Sequence, residues 1–358
     1  MRAFRVELGP DAHPVHVGAG ILDQTGQLAR AAGVAARRAL IVTDSNVARL
    51  YGERAAASLK AAGFALRTLE VAAGEQSKSF ATLERVYDAI VDAELDRSSA
   101  VFALGGGVVG DLAGFAAATY MRGVPLVQIP TTMVAQVDSA LGGKTAVNHP
   151  RAKNLIGAFH QPRLIVCDVA TLASLPEREF REGLAEVIKY GAIMDAPMIA
   201  DLERDLDAIM RRDLAALAEM VARSLQHKAT VVASDVREGG LRKILNYGHT
   251  VGHALEASSG YGNFLHGEAV AIGMVAAGRL SQAYVGLSAA EAERVERLIA
   301  RSGLTAAMPA GWRGEDFMRA LRLDKKRAGD GIEFVLLDRL GHALTRKLSF
   351  AEILMHLG

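Results

Sequence analysis

Ala100-Val-Phe-Ala-Leu-Gly-Gly-Gly-Val-Val-Gly-Asp111 is a short apolar run that breaks directly into glycines. The run Ala100–Leu104 predicts a buried strand. Gly105 to Gly110 satisfies G-x-G-x-x-G, and the helix that follows is expected to start near Asp111 or Leu112. Glycine suits such a turn because a backbone without Cβ lets its N–H groups press against a pyrophosphate, while the helix N-terminus adds favourable partial charge. An ordinary Rossmann domain carries its ribose-binding acid about 20 residues after the glycines. Here the best acidic candidate, Asp44, comes before them, at the end of the earlier apolar run Arg38–Asp44. A Rossmann-like sheet with a non-standard strand order is therefore expected.

Outward from the turn, strands alternate with helical periods. Asn46 to Ala62 and Phe80 to Ala93 read as helices, and Phe64 to Val71, Leu126 to Ile129 and Leu164 to Cys167 as strands. Such alternation predicts an α/β domain with a mostly parallel sheet. From Pro176 onward the period becomes helical, over Arg178–Met194, Met198–Met210, Leu214–Ala233, Ile244–Ser258, Glu268–Val285 and Ala289–Ala300; Ile332–Leu337 reads as one short strand or hairpin arm. The expected organisation is an α/β domain at 1–175, which carries the dinucleotide-type turn, and a mainly α-helical domain at 176–358, with a cleft between them. A chain of 358 residues is too long for one ordinary core.

Bulk properties exclude several classes. A formal net charge of +1 without a basic stripe gives no electrostatic case for nucleic acid. No stretch reaches the roughly 18 apolar residues of a membrane helix, and residues 1–9 lack the apolar core of a signal peptide. The one cysteine, Cys167, lies in an apolar run and reads as a buried strand residue. A reducing, cytoplasmic setting is expected.

Two further clusters carry chemistry. Gly142–Gly143–Lys144–Thr145 tempts a P-loop reading, but Asp138 stands where that motif needs glycine. Lys144, Lys153 and Asn154 still place two cations and an amide in one stretch, which suits an anionic ligand. His249 and His253 are four residues apart on one helical face, and His266 follows after a glycine-rich loop. Imidazoles with a carboxylate suit Zn²⁺ or a similar ion. Spacing leaves two glutamates open for that set. Glu186 sits in an apolar helical stretch where a charge needs a partner, and Glu256 follows His253 by three. Lys189 lies one turn from Glu186; Lys228, Arg242 and Lys325–Lys326 add positive charge.

Together these stretches resemble the 3-dehydroquinate synthase family of sugar phosphate cyclases. The resemblance rests on GGGVVGD (105–111), PTT (130–132), GGKTAVN (142–148), Lys153–Asn154, GLAEVIK (183–189), LNYGHTVGH (245–253) and His266–Gly267–Glu268, in the family's order. It implies NAD and one divalent ion, Zn²⁺ or Co²⁺, with Glu186, His249 and His266 as metal ligands. It implies that Asp44, Asn46, Gly74, Glu75, Lys78, Gly107, Val108, Val109, Gly110, Asp111, Thr131, Thr132, Lys144, Lys153, Thr171, Leu172, Ala173 and Ser174 serve NAD. Arg122, Asp138, Lys144, Lys153, Asn154, Lys189, Lys228, Arg242, Asn246, His253 and the pair Lys325–Lys326 would serve a small phosphorylated sugar-acid. His253 thereby becomes a substrate partner rather than a ligand. Ala73 stands where relatives often have Pro or Asp, a loop change.

The implied reaction converts 3-deoxy-D-arabino-heptulosonate 7-phosphate to 3-dehydroquinate and inorganic phosphate, in a homodimer. Transient oxidation by NAD, β-elimination of phosphate, re-reduction and an intramolecular aldol closure make it redox-neutral overall. Rival readings are another sugar phosphate cyclase, a metal-dependent alcohol or glycerol dehydrogenase, and a silent NAD-binding regulator.

Overall fold

A computed structural model describes the chain except residues 151, 261–262, 311, 313–314, 323–326, 329–330 and 358. It divides into two compact units: Met1–Leu175 with Leu217–Ala233, and Pro176–Ala216 with Ser234–Gly358.

The first unit is built on a seven-stranded sheet. Its strands are β1 (Arg2–Val6), β2 (His13–Gly18), β3 (Arg38–Asp44), β4 (Ala65–Val71), β5 (Ala100–Gly105), β6 (Leu126–Pro130) and β9 (Leu164–Asp168). Their order is β1-β2-β9-β6-β5-β3-β4, with only β1 antiparallel to its neighbour. Alternate residues feed two apolar cores. Leu40, Val42, Val101 and Ala103 pack against helices Phe80–Asp92 and Gly107–Thr119, while Ala39, Ile41, Phe102 and Leu104 face helices Thr25–Ala31 and Glu53–Ala61. Burial on both faces is why these strands read as continuous apolar runs. A separate antiparallel hairpin joins β7 (Lys144–His149) to β8 (Ala152–Phe159).

This order accounts for the acid that precedes the glycines. The chain leaves β3 outward to β4, then returns to place β5 on the other side of β3. That reversal is a topological switch point, where open α/β sheets bind ligands beyond the carboxyl ends of their strands. Thr43 pairs with Leu104, so Asp44 and Gly105 leave adjacent strands at the same level.

In the second unit, helix His266–Tyr284 is buried along most of its length, and its Ala269, Ile272, Ala276 and Leu280 share a core with Val251, Leu255, Phe334 and Leu336. Strands β10 (Arg327–Ala328), β11 (Gly331–Arg339) and β12 (His342–Ser349) form a small antiparallel sheet where one short strand or hairpin arm was expected. No helix among the described residues is long and apolar enough to cross a membrane.

Several elements differ from expectation. The helix after the glycines begins at Gly107, four residues earlier than Asp111. The period over Ile244–Ser258 is two elements, a 3-10 turn Leu241–Asn246 and a helix His249–Ser258, separated at Gly248 with φ 80°. Most of helix Leu214–Ser234 belongs to the first unit.

Candidate metal centre and cofactor turn

Close helix packing in the second unit assembles a group of donors. Glu186 and Lys189 lie one turn apart on helix Glu177–Met194, both with no more than 1 % of their surface exposed. Their side chains form an ion pair. Gly248 turns the chain so that His249 opens its helix; a Cβ at 248 would stand 2.8 Å from the Val270 carbonyl oxygen. His266 opens the next helix, and a Cβ at Gly267 would lie 1.9 Å from the Glu182 carbonyl oxygen. Only glycine at 267 lets this helix start so close to helix Glu177–Met194.

As a result, Nε2 of His249 and Nε2 of His266 lie 3.6 and 3.4 Å from the same Glu186 oxygen, Oε1. One ligand atom from each of the three residues falls within 4.8 Å of the others. His253, Glu256 and His266 make a second group of the same span. The two glutamates left open by spacing thus both reach His266, at opposite ring nitrogens. Glu268 is drawn into other work: it accepts from the Leu265 N–H at 2.9 Å, capping the helix, and takes two hydrogen bonds from Arg178 at 2.7 and 2.8 Å. Beside it, burial pushes the Glu182 carboxyl up to about 7 against the hydrogen bond from Gly267. Burial works against a proton on His266, but its hydrogen bonds to Glu186 and Glu256 outweigh that and raise it above the ordinary 6.5. A carboxylate with two imidazoles is a donor set that fits Zn²⁺ or Co²⁺, and a bound ion would take the place of the proton that the two glutamates hold on His266.

The first unit holds the glycine turn. A Cβ would come within 2.9 Å of Thr132 at Gly106, 3.1 Å of Ser139 at Gly107 and 2.9 Å of Gln128 at Gly110. The Thr131 N–H bonds to the Gly105 carbonyl at 3.0 Å, tying the turn to β6. The first N–H groups of helix Gly107–Thr119, at Gly107 and Val108, have no partner within their own helix and can meet a pyrophosphate. Such a cradle fits NAD. Asp44 accepts from the Asn46 and Val47 N–H groups at 2.9 and 3.1 Å. Tyr51 braces the Val169–Ser174 turn through the Thr171 carbonyl at 3.1 Å and the Ser174 hydroxyl at 2.6 Å, flanking Leu172 and Ala173.

Around this turn a polar network forms. Lys78 is buried and its ammonium reaches both Asp111 and Asn154. Glu75, after Gly74 with φ 111°, accepts from Asn148 at 2.6 Å, and Asn148 accepts the Asn154 N–H at 2.9 Å. Lys228 donates to the Asp138 carbonyl at 2.7 Å and pairs with its carboxylate at 3.1 Å. Lys144 opens β7, exposed; Lys153 lies in β8; Arg122 ends the turn Tyr120–Arg122, exposed.

In the second unit, Arg242 is buried and donates to the Val236 carbonyl at 2.6 Å. Asn246 donates to Glu238 at 2.7 Å. Glu238, Tyr51 and Gln128 escaped the sequence reading. Glu238 has φ 61°, rare for a residue with a side chain, but nothing in the linear pattern announces it. Lys325 and Lys326 lie outside the described residues.

The fold that carries this switch-point glycine turn and, in the second unit, the Glu186–His249–His266 group is that of solved sugar phosphate cyclases. A 2-deoxy-scyllo-inosose synthase structure, complexed with carbaglucose-6-phosphate, NAD⁺ and Co²⁺, shares the fold with TM-score 0.90, 24% identity and 99% coverage of both chains. ValA, a 2-epi-5-epi-valiolone synthase from Streptomyces hygroscopicus subsp. jinggangensis with NAD⁺ and Zn²⁺ bound, matches with TM-score 0.87 and 31% identity over 96% of this chain and 95% of that one. Residues 68–182 match the 3-dehydroquinate synthase N-terminal family and residues 183–327 its C-terminal family. The 3-dehydroquinate synthase of Citrifermentans bemidjiense is 49% identical over 338 residues, 94% of this chain and 93% of that protein. The chain belongs to the 3-dehydroquinate synthase family.

Proposed function

We propose that this chain converts 3-deoxy-D-arabino-heptulosonate 7-phosphate to 3-dehydroquinate and inorganic phosphate, as a carbon–oxygen lyase without net redox change. The observation that carries the proposal is the Glu186–His249–His266 group, which stands within the matched C-terminal family segment. Those three residues would hold a divalent ion, Zn²⁺ or Co²⁺. The cradle from Gly107 to Asp111, with Asp44, Asn46, Gly74, Glu75, Lys78, Thr131, Thr132, Lys144, Lys153 and Thr171–Ser174, would hold NAD. When bound, NAD supplies reversible oxidation of a substrate carbinol and the ion supplies a Lewis acid for its hydroxyls.

The remaining work falls to side chains. Arg122, Lys144 and Lys153 are assigned to the substrate phosphate, where fixed cations neutralise charge that builds as phosphate departs. Lys189 offsets Glu186 so that the group is not overloaded with negative charge. Lys78 holds Asn154 through its amide oxygen and thereby sets the direction of the Asn154 N–H₂. Glu238 does the same for Asn246, leaving its amide oxygen to accept from a substrate hydroxyl. His253, exposed at the edge of the imidazole cluster, is assigned to moving a proton between a substrate hydroxyl and water. Asp138, Lys228 and Arg242 complete the binding set, with Lys325 or Lys326. A homodimer working in the cytoplasm is part of the same proposal.

The experiment is a phosphate-release assay with catalytic NAD. Purified protein is expected to release phosphate from the heptulosonate phosphate without accumulating NADH, to stop when metal is stripped and to resume on addition of Zn²⁺ or Co²⁺. Stoichiometric NADH would point instead to a dehydrogenase. Preference for a different sugar phosphate in a substrate panel would point to another cyclase.

A further inference from the structure

We propose that Glu256 is a positioning residue for the metal centre: its carboxylate accepts the Nδ1–H of His266 and so holds the Nε2 of that ring toward Glu186. This rests on the reading of Glu186, His249 and His266 as a metal site, and adds a residue outside that ligand set. Three observations carry it. First, the two ring nitrogens of His266 have different neighbours: Nδ1 is 3.4 Å from Glu256 Oε2 and Nε2 is 3.4 Å from Glu186 Oε1. Second, the other imidazole is arranged alike, with His249 Nδ1 3.1 Å from the Tyr247 carbonyl and Nε2 3.6 Å from the same Glu186 oxygen. Each ring has one nitrogen tied to an oxygen of the protein and the other aimed at one point. An anchored Nδ1–H fixes the tautomer that leaves the Nε2 lone pair free. Third, Glu256 lies seven residues beyond His249 on the same helix and is 9 % exposed, so its anchoring oxygen is shielded from competing water.

The two anchors differ in charge. The Tyr247 carbonyl is neutral, whereas Glu256 is a carboxylate and makes the His266 imidazole a stronger donor. The same geometry argues against an ion seated between His253, Glu256 and His266. An ion there would have to displace the Nδ1–H that Glu256 accepts, and the competing group includes the exposed His253, whereas Glu186 is fully buried.

The test titrates metal-free protein with Zn²⁺ against a competing chelator, for the unaltered chain, E256Q and H253A. E256Q is expected to bind about 10–100-fold more weakly, as for loss of an outer-sphere partner, while H253A binds like the unaltered chain. Equal affinity in E256Q, or an equal loss in H253A, would overturn the inference. Absence of Zn²⁺ binding by the unaltered chain would instead remove the metal reading itself. Long-range ¹H–¹⁵N NMR of the histidine-labelled, zinc-loaded, unaltered chain reads the same ring without any substitution. His266 protonated at Nδ1 and metal-bound at Nε2 is expected; metal at Nδ1 overturns the inference even if E256Q does not fold.

Discussion

Lys189 is 1 % exposed, and its ammonium pairs with Glu186 one turn away. Removing one partner of a buried pair typically costs about 3–5 kcal/mol, because the other charge stays behind. K189M is therefore expected to lower the urea midpoint of the metal-free protein strongly, and saturating Zn²⁺ is expected to recover part of the loss. Equal midpoints for K189M and the unaltered metal-free protein would show that the pair carries no stability. A second residue-scale prediction concerns pH. Burial lowers His13, His16 and His160 below the ordinary 6.5. The unfolded chain then binds more protons than the folded one in the interval below 6.5, so the stability these rings contribute is complete above that value and is lost as pH falls through their depressed folded values. The advantage of the unaltered chain over H13N in urea unfolding should shrink between pH 7.5 and 5.5; an advantage that grows would contradict the sign. Cys167 is inert by the same logic, since burial pushes its thiol far above its ordinary range.

At the scale of elements, the metal group depends on glycines. A methyl at Gly267 would stand 1.9 Å from the Glu182 carbonyl oxygen, a distance that only movement of a helix can relieve. G267A is expected to destabilise the fold by roughly 1–3 kcal/mol, as overpacking does, and to weaken Zn²⁺ binding by drawing His266 from Glu186. Unchanged Zn²⁺ affinity in G267A would mean that the contact does not position His266. The long amphipathic helices and the buried parallel strands were legible in sequence because their apolar periods are sustained. The helix start at Gly107 was not: its first turn is Gly-Val-Val-Gly, with weak intrinsic helix preference, and packing of Gly110 against Gln128 decides it. The hairpin β7–β8 was missed because Lys144, Asn148, His149, Lys153 and Asn154 break the apolar alternation that marks a strand. Of the candidate centre, the histidine spacing was legible, but Glu186 and Glu256 both fitted the linear pattern. Their separate places at Nε2 and Nδ1 of His266 depend on three helices meeting, which no spacing encodes.

For the whole molecule, the division into units does not follow the chain. Leu217–Ala233 closes the first unit although 41 residues of the second, Pro176–Ala216, precede it. Its Leu217, Val221 and Leu225 are fully buried, and its Lys228 holds Asp138. A fragment ending at residue 175 is expected to be insoluble or loosely packed, whereas a fragment restoring 217–233 through a short linker should unfold cooperatively. Sharp, cooperative unfolding of the fragment 1–175 alone would mean that the helix is dispensable.

That excursion also bears on how the protein is made. Residues 217–233 leave the ribosome well after the sheet is complete at Asp168. At about 5–20 residues per second, several seconds of synthesis separate the sheet from the helix that finishes its unit. Through that interval the nascent chain holds a complete seven-stranded sheet whose unit still lacks residues 217–233, and the beginning of the second unit must emerge before the first can close. Translation speed across residues 176–233 therefore sets how long the first unit stays unfinished and within reach of chaperones.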